Sequence, residues 1–333
     1  MKCAVLSELG QPLKLETRAD PEPGEGELCI ELHAAALNRR DYWITRGMYP
    51  GIRLPVVLGS DGAGVVIRAG AGANARWVGQ SVVINPGWDW GDDARVQSEA
   101  FRIVGMPDDG TLATHIVVPE PCVAVKPPDY SWREAAALPL AGVTAYRACF
   151  TRGGVGSGDR VLITGIGGGV ATMALQLARA AGASVAVTSS SEEKLERARG
   201  LGADAGFLYT DAEWADRCRR EFARPSLIID GAGGAGYSVL VELLAPGGRL
   251  VNYGATAGAP QRLDLFKVFW KQLDLRGTTM GSPDDFDRLL VFVREHGVRP
   301  VIDEVFGLSR INDALDRLAG KDHFGKVVID CAS

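Results

Sequence analysis

The sequence has little that would direct it to nucleic acid or to a membrane surface. Its 36 lysines and arginines are outnumbered by 41 aspartates and glutamates, a formal charge of −5. That balance supplies no cationic field to hold a polyanion, so neither nucleic acid nor membrane is expected as a partner. The six cysteines (Cys3, Cys29, Cys122, Cys149, Cys218 and Cys331) form no C-x-x-C pair, which argues against a disulfide framework and against a four-cysteine structural zinc site. The opening Met1-Lys2-Cys3-Ala4-Val5-Leu6 lacks the apolar stretch and cleavage site of a signal peptide. Long apolar runs are scarce too. The longest uncharged stretch, 161–178, has a length that invites a transmembrane reading. It carries Thr164, Gly165, Gly167, Gly168, Gly169, Thr172 and Gln176, which suit a strand, a turn and a helix better. A soluble cytoplasmic protein is expected.

What the chain has in excess is glycine. Forty-two of 333 residues are glycine, nearly twice the roughly 7% of an ordinary chain. They show no three-residue period, which excludes collagen and points to tight turns and close backbone approach. The length suggests two domains. Residues 1–125 read mainly as β, with short strands at 28–33, 78–85 and 113–118 separated by turn signals such as Pro21-Glu22-Pro23-Gly24 and Asp108-Asp109-Gly110, the texture of a small barrel. Near Ser131 the texture changes: Ser131-x-x-Glu134 is a capping box ahead of an alanine-rich helix. From Asp159 strands and helices alternate. Strands are predicted at 160–164, 184–188, 227–230 and 249–254, and helices at 170–181, 192–201 and 237–244. That alternation means βαβ units and an α/β, doubly wound parallel sheet. Helices at 284–296 and 311–318 and a last strand at 325–330 read as a return to the first domain.

The sharpest motif is Val161-Leu162-Ile163-Thr164-Gly165-Ile166-Gly167-Gly168-Gly169-Val170-Ala171. It follows a buried strand and opens a helix, the context of a dinucleotide fingerprint. The glycines let backbone approach a pyrophosphate that rests on the helix N-terminus, which makes Gly165, Gly168, Gly169 and Val170 cofactor-binding candidates. Enzymes that use NAD usually carry an acid at the end of the following strand. Here that strand runs into Ser189-Ser190-Ser191, with no carboxylate before Glu192. Hydroxyls of Ser189 and Ser190 with the nearby cation of Lys194 suit a 2′-phosphate instead, so NADP(H) is the expected cofactor. Ser190-x-x-Glu193 also reads as a helix capping box, and a capped helix start is itself an anion site.

These pieces, with others in order, resemble the medium-chain dehydrogenase/reductase superfamily, and within it the zinc-free, quinone-oxidoreductase-like branch. The carriers are Asn38-x-x-Asp41, Arg46-Gly47-x-Tyr49-Pro50, the run from Leu54 through Gly59-Ser60-Asp61-Gly62 to Val66, Leu138-Pro139 through Thr144-Ala145-Tyr146, Glu193-Lys194, Leu201-Gly202-Ala203-Asp204, Leu244-x-Pro246-Gly247-Gly248-Arg249 and Gly325-Lys326-Val327-Val328. The likeness runs over essentially the whole chain. It implies a GroES-like β-barrel catalytic domain (1–126 and 283–333) interrupted by a Rossmann domain (127–282), an active site in the cleft between them, and a homodimer joined through Rossmann edge strands. Zinc-dependent relatives place a cysteine where this chain has Asn38, a histidine at Ser60 and a cysteine or acid near Leu140. Three good ligands plus an open position are what catalytic zinc needs, so no metal is expected. The stretch 85–110, where such relatives keep a cysteine-rich lobe, has no cysteine.

The chemistry implied is hydride transfer from NADPH to a small quinone, an enone or a related conjugated carbonyl compound. By the resemblance Asn38 faces the nicotinamide and is the candidate donor to the developing oxyanion, with Asp41 orienting its surroundings. Thr144, Tyr209 and Lys326 join the cofactor-binding candidates on the same ground, and Gly254 because it ends a strand at the sheet's C-terminal edge, where cofactors lie. Relatives tend to carry a tyrosine two residues after this aspartate; here Trp43 stands there, with Tyr42 beside it, and protonation from solvent is the consequence. Trp88 and Trp90 either wall the substrate site or pack a surface loop. Two other activities fit less well: a zinc-type alcohol dehydrogenase, on overall likeness, and a non-catalytic NADPH-binding protein, on the lack of an unambiguous acid–base residue.

Overall fold

The computed structural model describes residues 1–332, which divide into two compact units: Met1–Ala141 with Ser282–Leu290 and 299–332, and Gly142–Gly281 with Val291–Val298. The sequence places the first change of domain at 126/127; the structure carries the first unit on to Ala141. The helix Trp132–Ala137 explains the difference. Its start is the capping box read from the sequence, with Ser131 Oγ accepting from Glu134 N–H, and Trp132 stacks on His33 at 4.4 Å between ring centroids. The change of texture at Ser131 marks a helix packed on the barrel.

In the first unit the strand pairs of the main sheet are antiparallel except Ile302–Gly307 with Lys326–Asp330, which is parallel. The longest strands, Glu27–Ala36 and Asp61–Ala69, pair with each other. Ser81–Ile84 and Val123–Val125 extend the sheet on one side, Lys326–Asp330 and Ile302–Gly307 on the other, and His115–Pro119 pairs with Glu27–Ala36 as well. Leu28, Ile30, Leu32, Val66, Ile84, Leu112, Val327 and Ile329 fill the interior. The strand Asp61–Ala69 is absent from the sequence reading, because Gly62 and Gly64 weaken a β pattern. The structure gives their reason: a β-carbon at Gly64 would fall inside the Glu31 carbonyl of the neighbouring strand.

The second unit is a six-stranded, all-parallel sheet. Its strands in chain order are Arg160–Ile163, Ser184–Ser189, Ala205–Leu208, Leu227–Asp230, Arg249–Asn252 and Asp274–Gly277; in space they run 3-2-1-4-5-6. That is the Rossmann order, and its direction reverses beside Arg160–Ile163, where ligands bind at the carboxyl ends of the strands. Strands covered on both faces read as continuous apolar runs, as in Val161-Leu162-Ile163 and Leu227-Ile228-Ile229, all buried. The helices Gly169–Ala180, Glu192–Gly200 and Tyr237–Leu243 fall within a residue or so of the predicted ranges. Strands 205–208 and 274–277 are additions; both are short, half-exposed and lack a continuous apolar core. Among the described residues no helix is long and apolar enough to cross a membrane.

Candidate active site

The glycine-rich turn lies between the strand Arg160–Ile163 and the helix Gly169–Ala180. Gly165 (φ +64°) and Gly167 (φ +139°) hold backbone conformations that side chains disfavour. Gly168 is different. Its φ of −77° suits any residue, and a β-carbon there would meet nothing within 4 Å. Neither backbone strain nor packing within the protein requires glycine at 168. The turn is pinned from below, where Gly165 N–H donates to Thr188 Oγ1 (3.2 Å) and Ile166 N–H to the Thr188 carbonyl (2.8 Å). The first N–H groups of the helix, including Gly169 and Val170, have no intrahelical acceptor and stand ready for an anion.

The next strand ends at Ser189, and no acid stands there. Ser189 is buried and its Oγ accepts from Ser191 N–H at 3.2 Å, whereas Ser190 is exposed. The helix cap is Ser191, whose Oγ accepts from Lys194 N–H (3.4 Å); the capping box expected at Ser190-x-x-Glu193 starts one residue too early. Tyr209 is half-exposed and donates its backbone N–H to the Ser189 carbonyl at 3.0 Å. Ser189, Ser190, Lys194 and Tyr209 are thus gathered at one corner of the sheet. At its other carboxyl ends sits Asp230, which sequence reasoning missed. Fully buried, it accepts from Thr164 Oγ1 (2.6 Å), Gly233 N–H (2.9 Å) and Asn252 Nδ2 (2.9 Å), tying three neighbouring strand ends together. Gly254 follows, its carbonyl accepting from Asn252 Nδ2 at 2.8 Å. The Tyr253 ring lies where a β-carbon on Gly231 would be, and burial pushes its phenol pKa up. Thr144 is buried in the helix Pro139–Tyr146.

A second cluster lies in the first unit, and strand register explains it. Asp61 pairs with Ala36, and Val328 pairs with Ala36 from the other side. Asn38, just past the strand Glu27–Ala36, therefore meets the starts of both flanking strands. Asn38 Nδ2 donates to Asp61 Oδ2 (2.8 Å); Lys326 Nζ donates to Asn38 Oδ1 (2.6 Å) and to Asp61 Oδ2 (2.8 Å). Leu140 N–H completes Asp61 through Oδ1 at 2.8 Å. Lys326, expected among the cofactor contacts, has its ammonium buried against Asn38 and Asp61. Asp41 is fully buried and holds backbone, accepting from Asn38 N–H (2.7 Å) and Gly59 N–H (3.3 Å). Burial pushes its pKa up, against the nearby Arg40 charge.

The fold family raises the question of zinc, and the donors do not suit it. Asn38 holds an ammonium through its oxygen. Ser60 is tied to a second cation, with Arg40 Nη1 donating to Ser60 Oγ (2.7 Å) and Ser60 Oγ donating to the Val104 carbonyl (2.7 Å). Leu140 offers only a backbone N–H. A zinc ion would have to enter beside two buried cations of the chain itself, with no thiolate or imidazole to hold it. Among the described residues no three His, Cys, Asp or Glu side chains are grouped to hold a metal. The tryptophans resolve too: Trp88 and Trp90 are buried, bonded through Nε1 to the carbonyls of Asn85 and Asp93 (both 3.1 Å), with Trp90 edge-on to Phe101. They pack their own lobe.

Comparison with known proteins agrees with this division. Residues 24–129 match the alcohol dehydrogenase GroES-like domain, and 169–295 match the zinc-binding dehydrogenase family. A zinc-type alcohol dehydrogenase-like protein, YogA, of Leptosphaeria maculans is 38% identical over 96% of this chain and 94% of its own length. A chloroplastic quinone-oxidoreductase homolog of Spinacia oleracea is 28% identical over 94% and 92%. Among solved structures, that of an NAD-dependent alcohol dehydrogenase superposes with a TM-score of 0.94 at 36% identity, covering 99% of both chains.

Proposed function

This chain belongs to the medium-chain dehydrogenase/reductase superfamily, and from that premise we propose that it is an NADPH-dependent, zinc-independent oxidoreductase that reduces quinones, enones or related conjugated carbonyl compounds. The observation that carries the reading is the cluster around Asn38. The chain places its own cations and an amide donor at the positions where zinc-dependent relatives keep ligands. When bound, a reduced nicotinamide would supply the hydride that the β-carbon of an enone accepts. The π electrons move onto the carbonyl oxygen, and a solvent proton completes the saturated product, leaving the oxidised dinucleotide. Asn38 contributes its remaining Nδ2–H to that oxygen. Asp41 keeps the loop carrying Asn38 in place through backbone bonds. No side chain need deliver a proton.

NADPH in preference to NADH rests on the corner at Ser189, Ser190, Lys194 and Tyr209, where a carboxylate is missing. The lack of an acid removes a repulsion, and hydroxyl and ammonium donors suit a phosphate. Gly165, Gly168, Gly169 and Val170 hold the pyrophosphate in this reading, with Thr144 and Gly254 toward the nicotinamide. All six cysteines are free thiols, which supports a reducing, cytoplasmic setting. A homodimer is also proposed. Its support is the helix Leu265–Trp270, where Leu265, Phe266, Phe269 and Trp270 are all more than half exposed, next to the edge strand Asp274–Gly277.

A spectrophotometric screen of NADPH oxidation against quinones, α,β-unsaturated carbonyls and simple aldehydes tests the reading. Turnover confined to the conjugated acceptors is the expected result. Turnover of simple aldehydes alone would favour an alcohol dehydrogenase, and tight NADPH binding without turnover a non-catalytic binder.

A further inference from the structure

Beside the candidate donor the first unit buries a complete ion pair. Lys326 is 4% exposed and Asp61 0%, with Nζ 2.8 Å from Oδ2. Taking both charges out of water carries a large hydration penalty that their attraction only partly offsets, so such a pair is weak evidence for a stabilising role. What the pair does determine is the state of Asn38. The ammonium can only donate, and it reaches Oδ1 at 2.6 Å; the carboxylate can only accept, and it takes an N–H from Nδ2 at 2.8 Å. Turning the amide over would set Nδ2 against an ammonium and Oδ1 against a carboxylate. One orientation survives.

We propose that Lys326 is a positioning residue: with Asp61 it locks the Asn38 amide in a single orientation, with the second Nδ2–H left for the carbonyl oxygen of the acceptor. Among the described residues that second N–H has no protein partner, while the first is held by Asp61. An ammonium on the amide oxygen also draws electron density away from nitrogen and strengthens the remaining N–H as a donor. The charge that appears on the acceptor oxygen as its carbon gains the hydride is then met by a donor that need not reorganise. Neither Lys326 nor Asn38 loses a proton in this role, and solvent protonates the product. The inference rests on the reductase reading for its substrate, but not for its geometry.

The test therefore has two arms. In the cofactor-free protein, the side-chain amide protons of Asn38, assigned by NMR with Asn38→Ser as the reference, are expected to form a widely split, slowly exchanging pair. Lys326→Met should collapse the splitting and speed the exchange, and Lys326→Arg should partly restore both. Because Lys326→Met leaves Asp61 alone, the neutral double variant Asp61→Asn/Lys326→Met supplies the same reading if the single variant fails to fold. In turnover with a conjugated acceptor, Lys326→Met should lower kcat by about 10-fold to 100-fold, within the range for an impaired oxyanion donor, and leave NADPH affinity unchanged. In an Asn38→Ala background the further loss should vanish. Equal losses in both backgrounds, or an Asn38 amide that Lys326→Met leaves unmoved, would overturn the inference. Absence of turnover in the wild type would defeat the reductase reading alone, since the amide arm would still report.

Discussion

At Gly168 a β-carbon would meet no neighbour within 4 Å, while at Gly64 it would strike the Glu31 carbonyl. The two glycines predict opposite phenotypes. Gly168→Ala should fold with a loss of about 1 kcal/mol or less, that of an exchanged helix cap, yet bind NADPH at least about 10-fold more weakly if ligand backbone approach is what that glycine serves. Gly64→Ala should lose several-fold more stability and be found largely in the insoluble fraction. Thermal unfolding and fluorescence titration check both. At the end of the second Rossmann strand, Ser189→Asp tests the proposed 2′-phosphate corner. NADPH affinity should fall by about 10-fold or more while NADH affinity holds or improves, by like-charge repulsion; equal loss for both would mean that this corner does not read the phosphate. The glycine loop and the missing acid were legible in the sequence, because both are local. Asp61 and Lys326 were not legible as partners. They are 265 positions apart, and only the strand register joins them.

Elements show the same division between local and distant causes. Strands with both faces covered, such as Leu227–Asp230, and helices with a full apolar stripe carry their own signal. Short or edge elements do not. Asp274–Gly277 has one apolar residue and exists because Arg249–Asn252 offers it a partner. The ion pair belongs to this scale as well, since it fastens the start of Lys326–Asp330 to the start of Asp61–Ala69, across the strand Glu27–Ala36. Lys326→Met should destabilise the protein by about 3–5 kcal/mol by leaving Asp61 buried without a cation, and adding Asp61→Asn should recover much of that. Urea unfolding monitored by tryptophan fluorescence measures both, and a Lys326→Met variant as stable as wild type would contradict the buried pairing.

For the whole molecule, the two-unit organisation was readable because composition changes along the chain. The first compact unit runs on to Ala141 because the helix Trp132–Ala137 packs on the barrel that precedes it. The exposed aromatic helix 265–270 predicts self-association. Light scattering should report twice the chain mass for wild type and the chain mass for Phe269→Glu/Trp270→Glu, with NADPH affinity retained. A wild-type monomer would refute the homodimer. The central claim, hydride transfer to a conjugated carbonyl by a site built from Asn38, Asp61 and Lys326 without zinc, is tested most directly by pre-steady-state NADPH oxidation after exhaustive chelation. The account predicts that enzyme stripped of zinc reduces a quinone or enone at the undiminished rate and gains nothing from added zinc. Activity that disappears on chelation and returns with stoichiometric zinc would contradict it.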